Sequence, residues 1–269
     1  TFSFVDDENG IDLSQFSYID TMVTVVDAAN FFNDFGSPET LVDRQLNDSI
    51  EDDRTIVNLL TDQVEFANII LLNKIDLVTE EHLGILRSTL KKLNPSARII
   101  ESNFSKTDSS NILHTGLFNF EEAEQNAGWI AELNKKEHTP ETEEYGIGSF
   151  VFRSSLPFDE ERFWDYFNNR YPGNIIRSKG LFWIASRPDQ ALIWGQAGGS
   201  IRTDSAGVWW SSMPLSRRSQ HPSFLENQQE IEADWDSTFG DRKVELVFIG
   251  QNLDEAQIRK DLTACQIPS

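Results

Sequence analysis

Four apolar residues, Ile69 to Leu72, run directly into Asn73-Lys74-Ile75-Asp76, and no other stretch limits the fold so tightly. An apolar run this short, bounded by polar residues, is too brief for an ordinary helix and reads as a strand buried on both faces. Such strands belong to parallel sheets covered by helices. In open sheets of that kind, ligands sit outside the carboxyl ends of the strands. Asn73, Lys74 and Asp76 therefore stand where a binding site is expected.

The neighbouring sequence supports the same architecture. Thr21 to Asp27 is rich in β-branched residues and reads as a second buried strand, with Asp27 at its carboxyl end. A loop containing Gly36 and Pro38 follows, and then apolar residues recur at helical spacing from Glu39 to Glu65. Thr79 is placed to cap a helix whose first turn carries Glu80 and Glu81 and whose inner face is Leu83, Leu86 and Leu90. Asn94-Pro95 ends that helix, and Ala97 to Glu101 reads as a third strand. The alternation of strand and helix predicts half of a doubly wound α/β domain.

After a further helix over Glu121 to Asn134, Lys135 to Gly146 is polar, charged and interrupted by Pro140. The expected division is residues 1–134 as an α/β domain, 135–146 as an acidic linker, and 147–269 as a smaller α+β domain. In that last part, strands are expected at Ser149 to Arg153, Ile175 to Lys179, Leu181 to Ser186, Leu192 to Gln196, Val208 to Ser211 and Val244 to Ile249. Helices are expected at Asp159 to Arg170, Phe224 to Trp235 and Asp254 to Ala264.

Composition removes several classes of function. With 44 acidic against 23 basic side chains and a formal charge of −21, the chain repels nucleic acid and anionic membrane, and neither is expected as a partner. The single cysteine, Cys265, makes neither an internal disulfide nor a cysteine-based zinc site by itself. No apolar run approaches the length of a membrane span and no basic-then-apolar leader opens the sequence, so the expected compartment is the cytoplasm. The chain opens at Thr1 without a methionine and soon enters a strand, so it is expected to be a piece of a longer protein.

The Asn73–Asp76 motif carries a specific chemistry. Guanine presents two donors on one edge, and the carboxylate of Asp76 can accept both. Adenine has an acceptor at the equivalent ring nitrogen and lacks the second donor. Asn73 can bond another side of the base and tether neighbouring loops, while the aliphatic stem of Lys74 lies along the base plane. The same residues also suit a simple turn after a buried strand, so the tetrapeptide by itself leaves both readings open.

Beyond the motif, the sequence resembles the CobW family of P-loop GTPases. Val25-Val26-Asp27-Ala28 is similar to that family's central strand, Asp62-Gln63-Val64-Glu65-Phe66-Ala67-Asn68 to the helix end before the guanine motif, and Leu71 to Leu77 to the base-recognition sequence. Arg177 to Trp183 and Glu245 to Gly250 resemble the family's C-terminal domain, and His138 to Gly146 resembles a branch associated with zinc limitation. The resemblance implies a partial P-loop GTPase sheet followed by a CobW C-terminal domain. It further implies a parent protein that binds GTP or GDP with magnesium, hydrolyses GTP, and delivers zinc or a related divalent metal as cargo to a metalloprotein client.

The family's phosphate loop, Cys-x-Cys-Cys metal motif and Glu-rich switch sequence do not occur in these residues. Phosphate and metal contacts supply the transition-state charge stabilisation, so the chain alone is expected not to hydrolyse GTP. A rival reading is a protein-interaction or regulatory module that binds no nucleotide.

Other residues invite weaker readings. His138 among Glu137, Glu141, Glu143 and Glu144 reads as a solvated linker rather than a metal site. Arg177 and Lys179 suit an exposed basic strand edge as well as a partner surface. The adjacent Trp209 and Trp210 should face opposite sides of a strand, one of them in the core. Arg44, Gln63 and Glu65 are given no catalytic role, and the scattered His82, His114 and His221 none at all.

Overall fold

In a computed structural model of the protein, the residues described are 5–6, 11–12, 17–37, 39, 43, 55–119, 127–134 and 144–267. Contacts divide the chain into two units, Thr1–Asp34 with Leu59–Gly128 and Phe35–Asn58 with Trp129–Ser269.

A short antiparallel ladder joins β1 (Val5–Asp6) to β2 (Ile11–Asp12). The order then runs β3 (Val23–Asp27), α1 (Phe31–Phe35), α2 (Ile56–Glu65), β4 (Ile69–Asn73), α3 (Glu80–Leu93) and β5 (Arg98–Ser102). The three longer strands form one sheet in the order β3-β4-β5, and both ladders are parallel. Ile69 to Leu72 are all buried at its centre, as expected of a strand covered on both faces. The helix expected from Glu39 is observed from Ile56 onward, and Leu41, Leu46 and Ile50 lie outside the described residues.

Local chemistry sets the limits of α3. Thr79 Oγ1 accepts from the His82 amide at 3.2 Å, Glu80 and Glu81 occupy the first turn, and Lys91 and Lys92 the last, so both ends complement the helix dipole. Leu83, Leu86, Leu90 and Leu93 form its buried stripe. Asn94 then ends α3 and stitches it to its neighbour: its Nδ2 donates to the carbonyls of Val64, Glu65 and Ala67, where the last turn of α2 has carbonyls without helical partners.

The second part comprises α4 (Gly128–Asn134), β6 (Ile147–Ser154), α5 (Glu160–Asp165), β7 (Ile175–Phe182), β8 (Gln190–Ala197), β9 (Ser200–Val208), α6 (Leu215–Arg218), α7 (Pro222–Glu226), α8 (Gln228–Ala233), β10 (Val244–Gln251) and α9 (Glu255–Ala264). A π-helical turn, Tyr166–Arg170, continues α5. The sheet order is β6-β10-β7-β8-β9, antiparallel throughout. One face carries an aromatic core in which Phe163 stacks on Phe182 at 4.7 Å and meets Trp194 edge-on at 5.7 Å. The indole N–H of Trp194 donates to Ser178 Oγ at 2.7 Å, and that oxygen also bonds Tyr171 and Gln196, so these four polar side chains satisfy one another within the core.

A parallel sheet with helices followed by an antiparallel-sheet domain is the expected class, with four corrections of detail. In place of two strands at Ile175 to Lys179 and Leu181 to Ser186 there is one, which ends at Phe182, because Gly180 lets β7 pass β10 where a Cβ would strike the Glu245 carbonyl oxygen. The helix expected from Phe224 to Trp235 is broken at Asn227 into α7 and α8. Trp209 and Trp210 are not in a strand: the Asp241 carboxylate accepts from the amides of Trp210 and Ser211, each at 2.8 Å, and draws the chain into a 3-10 turn. Trp209 is the core member of the pair. Finally, β9 was not anticipated, since Ser200-Ile201-Arg202-Thr203-Asp204-Ser205 has no apolar alternation to reveal it.

Candidate nucleotide-binding site

The parallel register sets Asp27, Asn73 and Ser102 side by side at the carboxyl ends of β3, β4 and β5. Each of the three expected site residues leaves this row differently.

Asn73 turns its side chain along the sheet edge. Its Oδ1 accepts from the Ser105 amide at 2.8 Å and from Ser102 Oγ at 3.4 Å. It thereby fixes the loop after β5, in which Phe104 and Ser105 both have positive φ, 54°. Lys74 takes the left-handed conformation, φ 62° and ψ 35°, which turns the chain out of β4 into a single 3-10 turn over Ile75–Leu77. A side chain other than glycine enters this region at a cost of about 1 kcal/mol or more. Its ammonium donates to Asp27 Oδ2 at 2.7 Å.

Asp27 is also held by its own loop, accepting from the amides of Ala29 and Asn30 and from Asn30 Nδ2. Burial works to raise its pKa, but the hydrogen bonds from Lys74, Asn30 and the Ala29 amide, with the lysine's charge, hold it below the ordinary value.

Asp76 is exposed. Its amide donates to Asn103 Oδ1 at 3.2 Å, which ties the 3-10 turn to the loop after β5. Among the described residues, no hydrogen bond or ion pair engages its carboxylate. Asn73 and Lys74 are thus committed to neighbouring loops, while Asp76 projects an acceptor pair that no described residue satisfies. A carboxylate in this state can take two parallel donors from one partner.

Four residues beyond the motif belong to this arrangement. Asp27 could be placed at a strand end from sequence, but its pairing with Lys74 could not. Asn103 and Ser105 gave no signal, because their part depends on a loop with unusual backbone angles. His82 Nε2 lies 3.1 Å from the Ala28 carbonyl oxygen and the ring meets Phe32 edge-on, so it buttresses the loop after β3.

Arg177 and Lys179 do not form an exposed edge. β7 is interior to its sheet, Arg177 is buried with Nη1 donating to the Gln196 carbonyl, and Lys179 lies 4.7 Å from the centre of the Trp129 ring. Lys179 helps line a mainly apolar cavity of about 410 Å³ with Trp129, Leu133, Leu181, Ile193 and Glu245. His138, Glu137, Glu141, Glu143 and Arg44 lie outside the described residues. Among the described residues no three His, Cys, Asp or Glu side chains are grouped as metal ligands, and no helix is long and apolar enough to cross a membrane.

Comparison with known proteins gives this edge a context. Residues 3–101 match the family described as CobW/HypB/UreG, nucleotide-binding domain, and residues 147–266 match the cobalamin synthesis protein cobW C-terminal domain. Zinc-regulated GTPase metalloprotein activator 1 of Dictyostelium discoideum is 40% identical over 268 residues, covering 98% of this chain and 55% of its own length. A zinc chaperone of Mycobacterium tuberculosis is 25% identical over 232 residues, 81% of this chain and 51% of its own. The crystal structure of the Zn(II)-bound YjiA GTPase from E. coli aligns over 95% of this chain and 64% of its own at 20% identity, with a TM-score of 0.39. The chain spans about half the length of the curated relatives it matches. The nucleotide-binding and C-terminal domains are matched in succession, and the chain belongs to the CobW family.

Proposed function

We propose that this chain is the guanine-reading edge and C-terminal domain of a GTP-dependent chaperone that delivers zinc, or a related divalent metal, to a metalloprotein client in the cytoplasm. Residues 1–134 form its part of the GTPase domain, 135–146 an acidic linker, and 147–269 the C-terminal domain. The observation that carries the reading is the posture of Asp76, an exposed carboxylate beside loops that Asn73 and Lys74 hold in place. The likeness to a zinc-regulated GTPase metalloprotein activator across nearly the whole chain supplies the metal-delivery part of the proposal.

In this reading Asp76 accepts both donors on the guanine edge and rejects adenine. Asn73 acts mainly as the tether that presents the loop of Ser102 to Ser105, and Lys74 keeps its stem against the base while its ammonium holds Asp27. The sequence contains no Gly-x-x-x-x-Gly-Lys-Ser/Thr, and no ligand cluster occurs among the described residues. The residues present therefore do not fit the phosphate-bound magnesium of a GTPase cycle. The chain by itself binds guanine nucleotide weakly and does not hydrolyse it.

Titration with GDP and with ADP tests the reading. GDP should bind measurably tighter than ADP, and Asp76→Asn should abolish the difference. Equal affinity for both nucleotides in the unaltered chain would count against base recognition.

A further inference from the structure

β9 ends its sheet. It is laddered to β8 on one side and to no described strand on the other. Ile201, Arg202 and Asp204 to Val208 are exposed. From Ser200 to Ser205 the register against β8 is unbroken, and its one irregularity lies farther along, at Ala191/Leu192. The hairpin closes through Gly198-Gly199 between the paired residues Ala197 and Ser200. Alternate pairs of an antiparallel ladder exchange hydrogen bonds, beginning with the pair that closes a two-residue turn. Ser200, Arg202 and Asp204 therefore direct their backbone groups at β8, and Ile201, Thr203 and Ser205 direct theirs outward.

A free edge of this kind is a template for another strand, and proteins usually block it with proline or with charged side chains, lysine above all. The stretch from Ser200 to Ser205 contains no proline and no lysine. Its two charges have opposite sign and flank Thr203, with Arg202 Nε 3.1 Å from Asp204 Oδ2 and both side chains about half exposed. Inverted and laid against itself about Thr203, the segment matches: Arg202 meets Asp204 of the second strand, Asp204 meets Arg202, and Ile201 meets Ser205.

We propose that β9 pairs antiparallel with β9 of a second copy of this chain, about a two-fold axis at Thr203, fusing two five-stranded sheets into one. The outward amides and carbonyls of Ile201, Thr203 and Ser205 form the new ladder. The two Arg202 and two Asp204 side chains form an alternating ring of four charges on one face. Because Ile147 to Phe150 and Phe152 of β6, the opposite edge, are buried, the pairing closes at two copies instead of running on as a fibre. A seam of about six residues falls below the roughly 1,200 Å² of a standard interface, so the dimer is weak and depends on concentration. Each copy carries a formal charge of −21, a long-range repulsion that physiological salt screens beyond about 8 Å.

Sedimentation velocity from about 1 to 500 μM at physiological ionic strength tests the proposal. The unaltered chain should show a monomer–dimer equilibrium. Arg202→Glu leaves two acids facing two acids, and Asp204→Lys leaves two bases facing two bases, so each alone should dimerise at least roughly tenfold more weakly. An equimolar mixture of the two variants should recover the dimer, because acids then face bases. The swap Arg202→Asp with Asp204→Arg in one chain should recover it too, which rules out misfolding as the cause of the losses. A chain that stays monomeric throughout, single variants that dimerise like the unaltered chain, or a mixture that fails to recover would each overturn the proposal.

Discussion

The ammonium of Lys74 lies 2.7 Å from Asp27 Oδ2, and the two residues end or follow adjacent parallel strands. The ion pair thus spans the sheet's carboxyl edge and holds a lysine in a left-handed conformation that its own backbone disfavours. Its side chains are 45% and 30% exposed, so its contribution to stability is below roughly 1 kcal/mol.

Lys74→Met should raise the pKa of Asp27 toward the ordinary 3.8 from its lowered position, as read by carbon NMR titration of the carboxyl group. The sign of the linkage follows. A carboxylate with a lowered folded pKa gives stability that is present above its unfolded pKa and is lost as pH falls through the folded one. The stability difference between the unaltered chain and Lys74→Met should therefore hold at neutral pH and vanish in acid, below 3.8. A difference that persists undiminished in acid would mean that packing of the lysine stem, and not the ion pair, stabilises the edge.

Asp76 should be separable from the fold. With an exposed carboxylate that no described residue engages, Asp76→Asn should leave unfolding unchanged within about 0.5 kcal/mol. The same substitution replaces one acceptor with a donor, which opposes the exocyclic amine of guanine and suits a carbonyl there. Xanthosine diphosphate carries that carbonyl, so the variant should favour it over GDP by roughly tenfold, about one hydrogen bond's worth of discrimination. Competition against a fluorescent nucleotide would measure this, and an unchanged preference for GDP would remove Asp76 from the base contact.

Two asparagines show how burial sets the cost of losing the same side chain. Asn94 is fully buried, donates to three carbonyls and accepts from the amides of Ser96 and Ala97. Asn94→Ala leaves those groups unpaired away from water and should cost about 2–4 kcal/mol in urea denaturation. Asn73 is only partly buried and its loop can turn to solvent, so Asn73→Ala should cost about 1 kcal/mol. Its signature should instead be local, with faster hydrogen exchange at the Ser105 amide and little change at Ile70 or Leu72.

The contrast between these residues also shows what a sequence reveals. β4 was legible because burial on both faces demands an unbroken apolar run, and the motif after it was legible because strand and site adjoin in the chain. Thr79 was legible as a cap for the same reason. Asn94 could be recognised as a helix stop but not as the cap of α2, since its partners lie about thirty residues away and meet it only after folding. Asn103 and Ser105 depend on positive φ angles that nothing in Asn-Phe-Ser announces. β9 is hidden because its pairing uses the backbone alone and neither face requires apolar side chains. The misread tryptophan pair reflects a competitor for the amides of Trp210 and Ser211, the carboxylate of Asp241, that comes late in the chain.

The buried hydroxyl of Tyr166 makes the last prediction. The residue is fully buried in the aromatic core, between Phe167 at 5.0 Å and Tyr171 at 6.0 Å, and its oxygen has no hydrogen-bond partner among the described residues. Burial, together with the acidic groups of Asp261 and Cys265, pushes its pKa far above the ordinary phenol range, so it stays protonated at any pH the fold tolerates. An unpaired buried hydroxyl loses its bonds to water and gains none in return, which costs about 1–3 kcal/mol. Tyr166→Phe removes that cost and keeps the ring contacts, including the Arg170 guanidinium 5.5 Å from the ring centre. The variant should be as stable as the unaltered chain or more stable by up to about 2 kcal/mol in urea, with no dependence on pH. A loss of 1 kcal/mol or more would instead show that the hydroxyl holds a buried partner such as an ordered water, and that this end of the core is polar by design.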